Sequence, residues 1–144
     1  MMTKVKHPSR RYDMLGCLEE LSDFNMQKRA WVKSDHPCGF WASMSYSREF
    51  LLDDYPFDEW EPGPDCLGYI LDNEKEGHLL KKISILLRRV GKELGRSQPD
   101  SVYLNSPLWQ EVVQAAKEAY DYIMTYEDMD DLLRQCQEES DRDD

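Results

Sequence analysis

Adjacent acidic residues are the first groups in this sequence whose types and spacing could do chemistry. Asp53 and Asp54 form one pair, and Asp130 and Asp131 form another. General acid–base catalysis needs two titratable groups held in one cleft, whereas neighbouring residues of a helix do not face each other. We therefore interpret both pairs as solvated surface and not as catalytic groups.

The three histidines do not complete a catalytic set. His7 lies near the N-terminus, His36 precedes a proline, and His78 falls in the first turns of a predicted helix. The sequence has no nucleophile motif such as G-x-S-x-G, and its glycines match neither G-x-G-x-x-G nor G-x-x-x-x-G-K. We therefore expect neither a hydrolase nor a nucleotide-binding protein, and no enzymatic activity.

Metal binding has equally little support. Residues 72–77 are similar to the opening of a calcium loop, but the twelfth position is Ile83, where a bidentate glutamate is required. The four cysteines form no C-x-x-C pair. Cys17 and Cys136 lie on apolar helical stripes, where a free thiol behaves as a small hydrophobic group. We expect no metal and no cofactor.

An acidic segment with prolines and aromatic residues is the candidate binding region. Residues 51–74 contain eight acidic and no basic residues. Desolvated aromatic side chains surrounded by carboxylates suit the binding of a basic protein. The alternative is that Tyr55, Phe57 and Trp60 attach a long loop, residues 54–66, to the core. The predicted partner-binding residues are Asp53, Asp54, Tyr55, Phe57, Asp58, Glu59, Trp60, Glu61, Asp65, Asp72 and Glu74.

The elements that must position this segment are predicted to be helices, because apolar residues recur at helical spacing along most of the chain. Residues 67–71 are too short to assign and leave a small β element open. We expect a mainly α, single-domain bundle of about five helices. The predicted helical stretches are one from an N-cap at Ser9 through Leu21, one through Met26, Ala30 and Trp31, Ser45 to Asp53, Asn73 to Leu94, Pro107 through Ile123, and Asp128 to Gln137.

The domain prediction has three parts: a flexible N-terminus over residues 1–8, one helical domain over residues 9–137, and a solvated acidic tail over residues 138–144.

The chain carries 29 acidic and 18 basic residues, a net charge of −11. Such a surface repels phosphate backbones and anionic membranes. We therefore expect a protein partner and no direct contact with nucleic acid or membrane. Because no apolar stretch follows the first residues and no apolar run approaches the length of a membrane span, we also expect a cytoplasmic protein.

Four short strings, at residues 29–31, 51–54, 67–71 and 103–109, resemble a family of short, uncharacterised bacterial helical proteins over roughly residues 9–126. In size, acidity and lack of motifs the chain is also similar to the immunity proteins of bacterial polymorphic toxin systems, which bind and block a cognate toxin. That resemblance implies an inhibitor that occludes a basic toxin domain. The alternative is a regulatory or adaptor protein that binds a cellular protein.

Overall fold

The computed structural model describes residues 5–28, 45–59, 67–95 and 100–142, and it confirms the predicted mainly α bundle. In the described residues no strand is present, and Leu67 and Leu71 form only an isolated bridge. The helices are α1 (Pro8–Ser22), α2 (Phe24–Gln27), α3 (Ser45–Glu49), α4 (Glu74–Leu94), α5 (Asp100–Leu104), α6 (Pro107–Met124) and α7 (Met129–Arg142), with a π-helix at Phe50–Asp54 and a 3₁₀ turn at Phe57–Glu59.

The core lies where α6 packs between α1 and α4, while α7 packs on α1. Ala116 and Ala119 of α6 are fully buried, and small residues at these positions allow a neighbouring helix to approach closely. Helix α6 therefore packs along α4. None of the helices in the described residues is long and apolar enough to cross a membrane.

Two of the long helices begin at side-chain N-caps. Asn73 Oδ1 accepts a hydrogen bond of 3.0 Å from the Glu76 amide at the start of α4. Ser106 Oγ accepts one of 3.2 Å from the Leu108 amide at the start of α6, with a proline in the first turn. These side chains satisfy amide groups that have no partner within the helix.

The ends of the bundle differ from the prediction. The amides of Lys6 and His7 donate to the carbonyls of Gly68 and Tyr69 at 2.7 and 2.8 Å, so part of the predicted flexible N-terminus is fixed. Ser9 lies inside α1 and is not its N-cap. Its amide donates to the carboxylate of Glu139 at 3.3 Å, and its hydroxyl donates there too. Helix α7 accordingly continues to Arg142, through most of the predicted tail.

The predicted helix at Ser45 to Asp53 changes geometry half-way. It is α-helical to Glu49 and then forms a π-helix to Asp54, which ends where the Tyr55 amide donates to the Phe50 carbonyl at 2.9 Å. The hydroxyl of Ser84 in α4 donates to the Leu51 carbonyl at 2.8 Å. This buried bond from another element fixes the π-helix on α4.

The second predicted helix is observed only over Phe24–Gln27, because Ala30 and Trp31 lie outside the described residues. Gln27 is fully buried and joins three helices. Its side-chain amide donates to the carbonyls of Glu20 and Leu21 in α1 at 2.9 and 3.0 Å. Its side-chain oxygen accepts from the Trp109 indole in α6 at 2.9 Å. The C-terminal end of α1 is thereby held against α6.

Candidate protein-binding surface

Helix α1 is positioned by a buried arginine that the sequence analysis did not single out. Arg11 is 2% exposed, and its terminal nitrogens donate to the two carboxylate oxygens of Glu76 at 2.8 and 2.9 Å. Its Nε donates to Glu127 at 2.6 Å. Arg11 therefore joins α1 to the start of α4 and to the connection between α6 and α7.

The same carboxylate also organises the turn before α4. Glu76 accepts a hydrogen bond of 2.8 Å from the Asp72 amide and another from the Tyr126 hydroxyl. Arg11 also donates to the Ile70 carbonyl at 2.7 Å. Burial alone would lower the pKa of Arg11. The hydrogen bonds and negative charges of Glu76 and then of Glu127 outweigh this effect, so the pKa of Arg11 is raised above its ordinary value. The guanidinium therefore stays charged at every physiological pH.

The aromatic residues of the predicted binding segment pack towards the interior. Phe57 is 1% exposed and belongs to the core rather than to a surface. The ring of Tyr55 lies 4.9 Å from that of Phe50 and 6.2 Å from that of Phe57, measured between centroids. For Tyr55 and Phe57 the structure favours the alternative in which they attach the segment to the core. Trp60, Glu61 and Asp65 lie outside the described residues.

Arg10 connects this segment to α1. Its guanidinium lies 4.7 Å from the Phe50 ring centroid and 5.3 Å from that of Tyr55. It donates to Asp54 at 2.9 Å and to Asp13 Oδ2 at 3.3 Å. The end of the π-helix and the outward side of α1 therefore meet at one cation.

A second cation, Arg88 of α4, holds the other end of the segment. Arg88 donates to the two oxygens of Asp58 at 2.5 and 3.1 Å, and the Asp58 side chain is only 10% exposed. The Asp58 hydrogen bond is the main cause that raises the pKa of Arg88, and the charges of Glu59 and Asp53 add to it. Asp53 and Glu59 are themselves exposed.

Asp72 and Glu74 do not join these groups. Asp72 precedes α4 and Glu74 is its first residue. Arg88 lies 14 residues after Glu74 in the same helix, which is about 21 Å at the rise of an α-helix. The amide of Asp72 is engaged by Glu76, as described above. The predicted binding segment therefore divides into a cluster near Arg10 and Arg88 and a separate pair at the start of α4.

The outward side of α1 adds carboxylates that the sequence analysis missed. Two adjoining clefts of about 300 and 330 Å³ share Gly16 and Glu20. The first is lined by Tyr12, Asp13, Gly16, Cys17, Glu20 and Ser47. The second is lined by Gly16, Glu19, Glu20, Asp23 and Met26. We call the first the α1 cleft. The acidic face comprises the carboxylates of Asp13, Glu19, Glu20, Asp23, Asp53, Asp54 and Glu59.

A signal for this part of the acidic face exists in the sequence. Residues 13, 16 and 20 recur at helical spacing on the side of α1 opposite the buried Met14, Leu18 and Leu21, and Asp23 follows directly after the helix. The basic residues elsewhere in the first fifty positions hide this stripe when charge is averaged by segment.

Two groups in the α1 cleft are affected by burial. Burial raises the pKa of Glu20 above its ordinary value of 4.5. Burial also raises the pKa of the Cys17 thiol to about 11, against a smaller lowering by the neighbouring Ser47 hydroxyl. Cys17 is therefore a protonated core thiol, as the sequence predicts, and it is not poised as a nucleophile.

A larger cleft of about 560 Å³ lies where α2, α5 and the start of α6 meet. Its lining combines the apolar Phe24 and Leu104 with Lys28. Elsewhere, in the part of the chain that the structure describes, no three His, Cys, Asp or Glu side chains are grouped to hold a metal ion. Carboxylates on a rigid helical support are thus the most distinctive chemistry of this surface.

Comparison with protein families identifies a match over most of the chain. A family model described as a domain of unknown function, DUF7945, covers residues 5–132. The chain belongs to the DUF7945 family. No curated protein and no solved structure matches it. The DUF7945 match spans α1 through the first residues of α7, and so includes every described residue of the acidic face.

Proposed function

We propose that this DUF7945 protein is a stoichiometric inhibitor of another protein, of the immunity type, and that its acidic face occludes a basic toxin domain. The observation that carries the proposal is the meeting of two acidic elements at Arg10. This residue bonds Asp54 of the π-helix at 2.9 Å and Asp13 of α1 at 3.3 Å. Carboxylates from distant parts of the sequence therefore meet at one cation.

Electrostatics supports a basic partner. The net charge is −11, and a face with one sign of charge steers an oppositely charged protein and raises its association rate. Toxin domains that act on nucleic acids or nucleotides carry basic clefts, because they bind phosphate groups. An acidic protein seated in such a cleft blocks access by steric occlusion, which requires no catalytic residue.

The rigidity of the support also favours this function. Ser84 fixes the π-helix on α4, and Arg11 fixes α1 on α4. Because the carboxylates project from secondary structure that is already ordered, a partner binds without a large cost in conformational entropy. An acidic face of modest size can therefore bind its partner with high affinity.

The test starts from capture of the partner. The full-length protein, tagged at one end, is incubated with native lysate of its host at low and at high salt, and retained proteins are identified by mass spectrometry. We expect one basic protein in stoichiometric amount, still retained at high salt. The purified partner is then assayed for toxic activity with and without an equimolar amount of this protein. Full inhibition supports the proposal.

Paired variants locate the contact. Asp53→Asn with Glu59→Gln removes two exposed charges of the acidic face, and Glu111→Gln with Asp141→Asn removes two exposed charges elsewhere. We expect the first pair to weaken binding about ten-fold, at roughly 0.7 kcal/mol for each exposed ion pair, and the second to leave it unchanged. Equal losses would refute the acidic face. Several weak, salt-sensitive partners without inhibition would instead favour a regulatory or adaptor protein.

A further inference from the structure

We infer that the α1 cleft is the specificity pocket of this surface and accepts an arginine side chain of the basic partner. The inference rests on the proposed function and adds the chemistry of the central contact. The residues that line the cleft and carry hydrogen-bond acceptors include Asp13 and Glu20, with their carboxylates, and Ser47, with its buried hydroxyl.

Ser47 is the observation that separates this cleft from an ordinary acidic patch. It is 1% exposed and lines the cleft, yet its Oγ has no hydrogen-bond partner. The Cys17 sulfur lies close enough for the Ser47 hydroxyl to lower the pKa of the thiol, but sulfur is a weak acceptor and the pair does not meet hydrogen-bond geometry. Leaving a buried hydroxyl without a partner is unfavourable by about 1–3 kcal/mol, so a ligand that donates to Ser47 recovers this free energy.

The carboxylate of Glu20 indicates that the ligand of this cleft is a cation. In the described residues its carboxylate has neither an ion pair nor a hydrogen bond, and burial raises its pKa. Asp13 shares only Oδ2 with Arg10, which leaves Oδ1 available. Two carboxylates and a hydroxyl are three acceptor groups, and a guanidinium supplies five N–H donors in a planar fork that can reach several of them together. Lysine concentrates its charge on one atom and fits such a divided set of acceptors less well.

The size of the cleft agrees with a single side chain. Its volume of about 300 Å³ lies at the lower limit of ligand sites, which span about 300–1,000 Å³. Gly16 keeps the cleft open, because a Cβ built there meets no atom within 4 Å. A larger side chain at position 16 would occupy the space without removing a charge.

The first experiment uses a small probe and does not depend on the partner. Nα-acetyl-arginine amide is titrated into the ¹⁵N-labelled full-length protein, and amide shifts are followed by NMR, with the isosteric but uncharged citrulline derivative as control. We expect saturable shifts at residues 13–20 and at Ser47 with arginine, and an apparent affinity at least ten-fold lower with citrulline. Equal responses to both probes, or shifts spread over the whole protein, would overturn the inference.

Variants separate the pocket from simple charge attraction. Glu20→Gln and Ser47→Ala each remove an acceptor, and Gly16→Leu fills the cleft while every carboxylate is retained. We expect each to weaken arginine binding about ten-fold, whereas Glu111→Gln on α6 has no effect. If Gly16→Leu binds arginine as well as the native protein does, the cleft is not the site. Melting temperatures no lower than that of the native protein verify that the variants remain folded.

The two proposals can fail separately. A captured toxin whose binding is insensitive to Gly16→Leu, but sensitive to Asp53→Asn with Glu59→Gln, would refute the pocket and retain the inhibitor. Saturable arginine binding in a protein that inhibits no captured partner would retain the pocket and refute the inhibitor.

Discussion

Arg11 and Glu76 form a bidentate ion pair inside the bundle, with N–O distances of 2.8 and 2.9 Å. The pair joins α1 to α4 and is complemented by Glu127 and the Tyr126 hydroxyl. A buried pair of this kind adds little net stability compared with apolar residues, but removal of one partner leaves an uncompensated charge. Its main consequence is that α1 has one position relative to the turn before α4.

The first prediction concerns this ion pair. Arg11→Met should lower the free energy of unfolding by about 3–5 kcal/mol, because Glu76 and Glu127 then remain buried without their cation. Urea denaturation followed by circular dichroism measures the change. Arg10→Met is the matched control, since Arg10 is partly exposed and its ion pairs contribute at most about 1 kcal/mol each. Similar losses for both variants would contradict the assigned network.

The second prediction compares two glycines. Gly16 lies in the middle of α1 with open space around its Cβ position, so Gly16→Ala should raise the free energy of unfolding by about 1 kcal/mol. Gly95 ends α4 with a φ of +80°, which a residue with a Cβ adopts at a cost of about 1–3 kcal/mol. Gly95→Ala should therefore destabilise. Thermal melts of the two variants check the opposite signs.

The third prediction is a pH dependence at Glu20. Because burial raises its folded pKa above the ordinary 4.5, the folded state binds the proton more tightly than the unfolded state. The stabilising contribution is present below the ordinary pKa and is lost as pH rises through the raised value. Glu20→Gln imitates the protonated form, so it should raise the urea midpoint at pH 7 and change it little at pH 3.5.

Glu111→Gln controls for the general effect of removing one negative charge from this acidic protein. It should change the urea midpoint much less than Glu20→Gln does at pH 7. The assignment fails if the two variants give the same pH profile.

The fourth prediction concerns the end of α7. Glu139→Ala should destabilise the protein by about 1–3 kcal/mol, since Ser9 loses the acceptor of both its amide and its hydroxyl. Asp141→Asn, on the exposed surface of the same helix, should stay within about 0.5 kcal/mol of the native protein. Amide hydrogen exchange near Ser9 should quicken only in the first variant. Unchanged exchange there would exclude the contact.

Local signals predicted the helices well. The caps of Asn73 and Ser106 act on amides three and two residues away, respectively, so a short window of sequence contains both partners. The apolar face of α4 is equally local, because its residues recur every three or four positions. The fold class followed from such features alone.

Long-range polar contacts could not be predicted in this way. Arg11 is separated from Glu76 by 65 positions and from Glu127 by 116, and a charged residue is expected at the surface unless a partner is known. The same reason explains why residues 138–144 were predicted to be a solvated tail. The contact between Glu139 and Ser9, which holds the end of α7, spans 130 positions of the sequence.

The candidate site was predicted in part. The exposure of Asp53 and Glu59 agrees with a surface role, whereas the burial of Phe57 does not. The α1 cleft depends on α3 bringing Ser47 beside Cys17, and no spacing in the sequence reports that approach.

Arg10 has a consequence for how this surface discriminates between cations. Asp13 and Asp54 are already engaged by this tethered guanidinium, and a tethered group competes at a high effective concentration. At Asp54, and at Oδ2 of Asp13, a cation arriving from solution therefore takes part in an exchange with Arg10, and its gain is only the difference between two similar ion pairs. Isolated counterions displace Arg10 poorly, whereas a rigid array of positive charges in matching register replaces it at several points together.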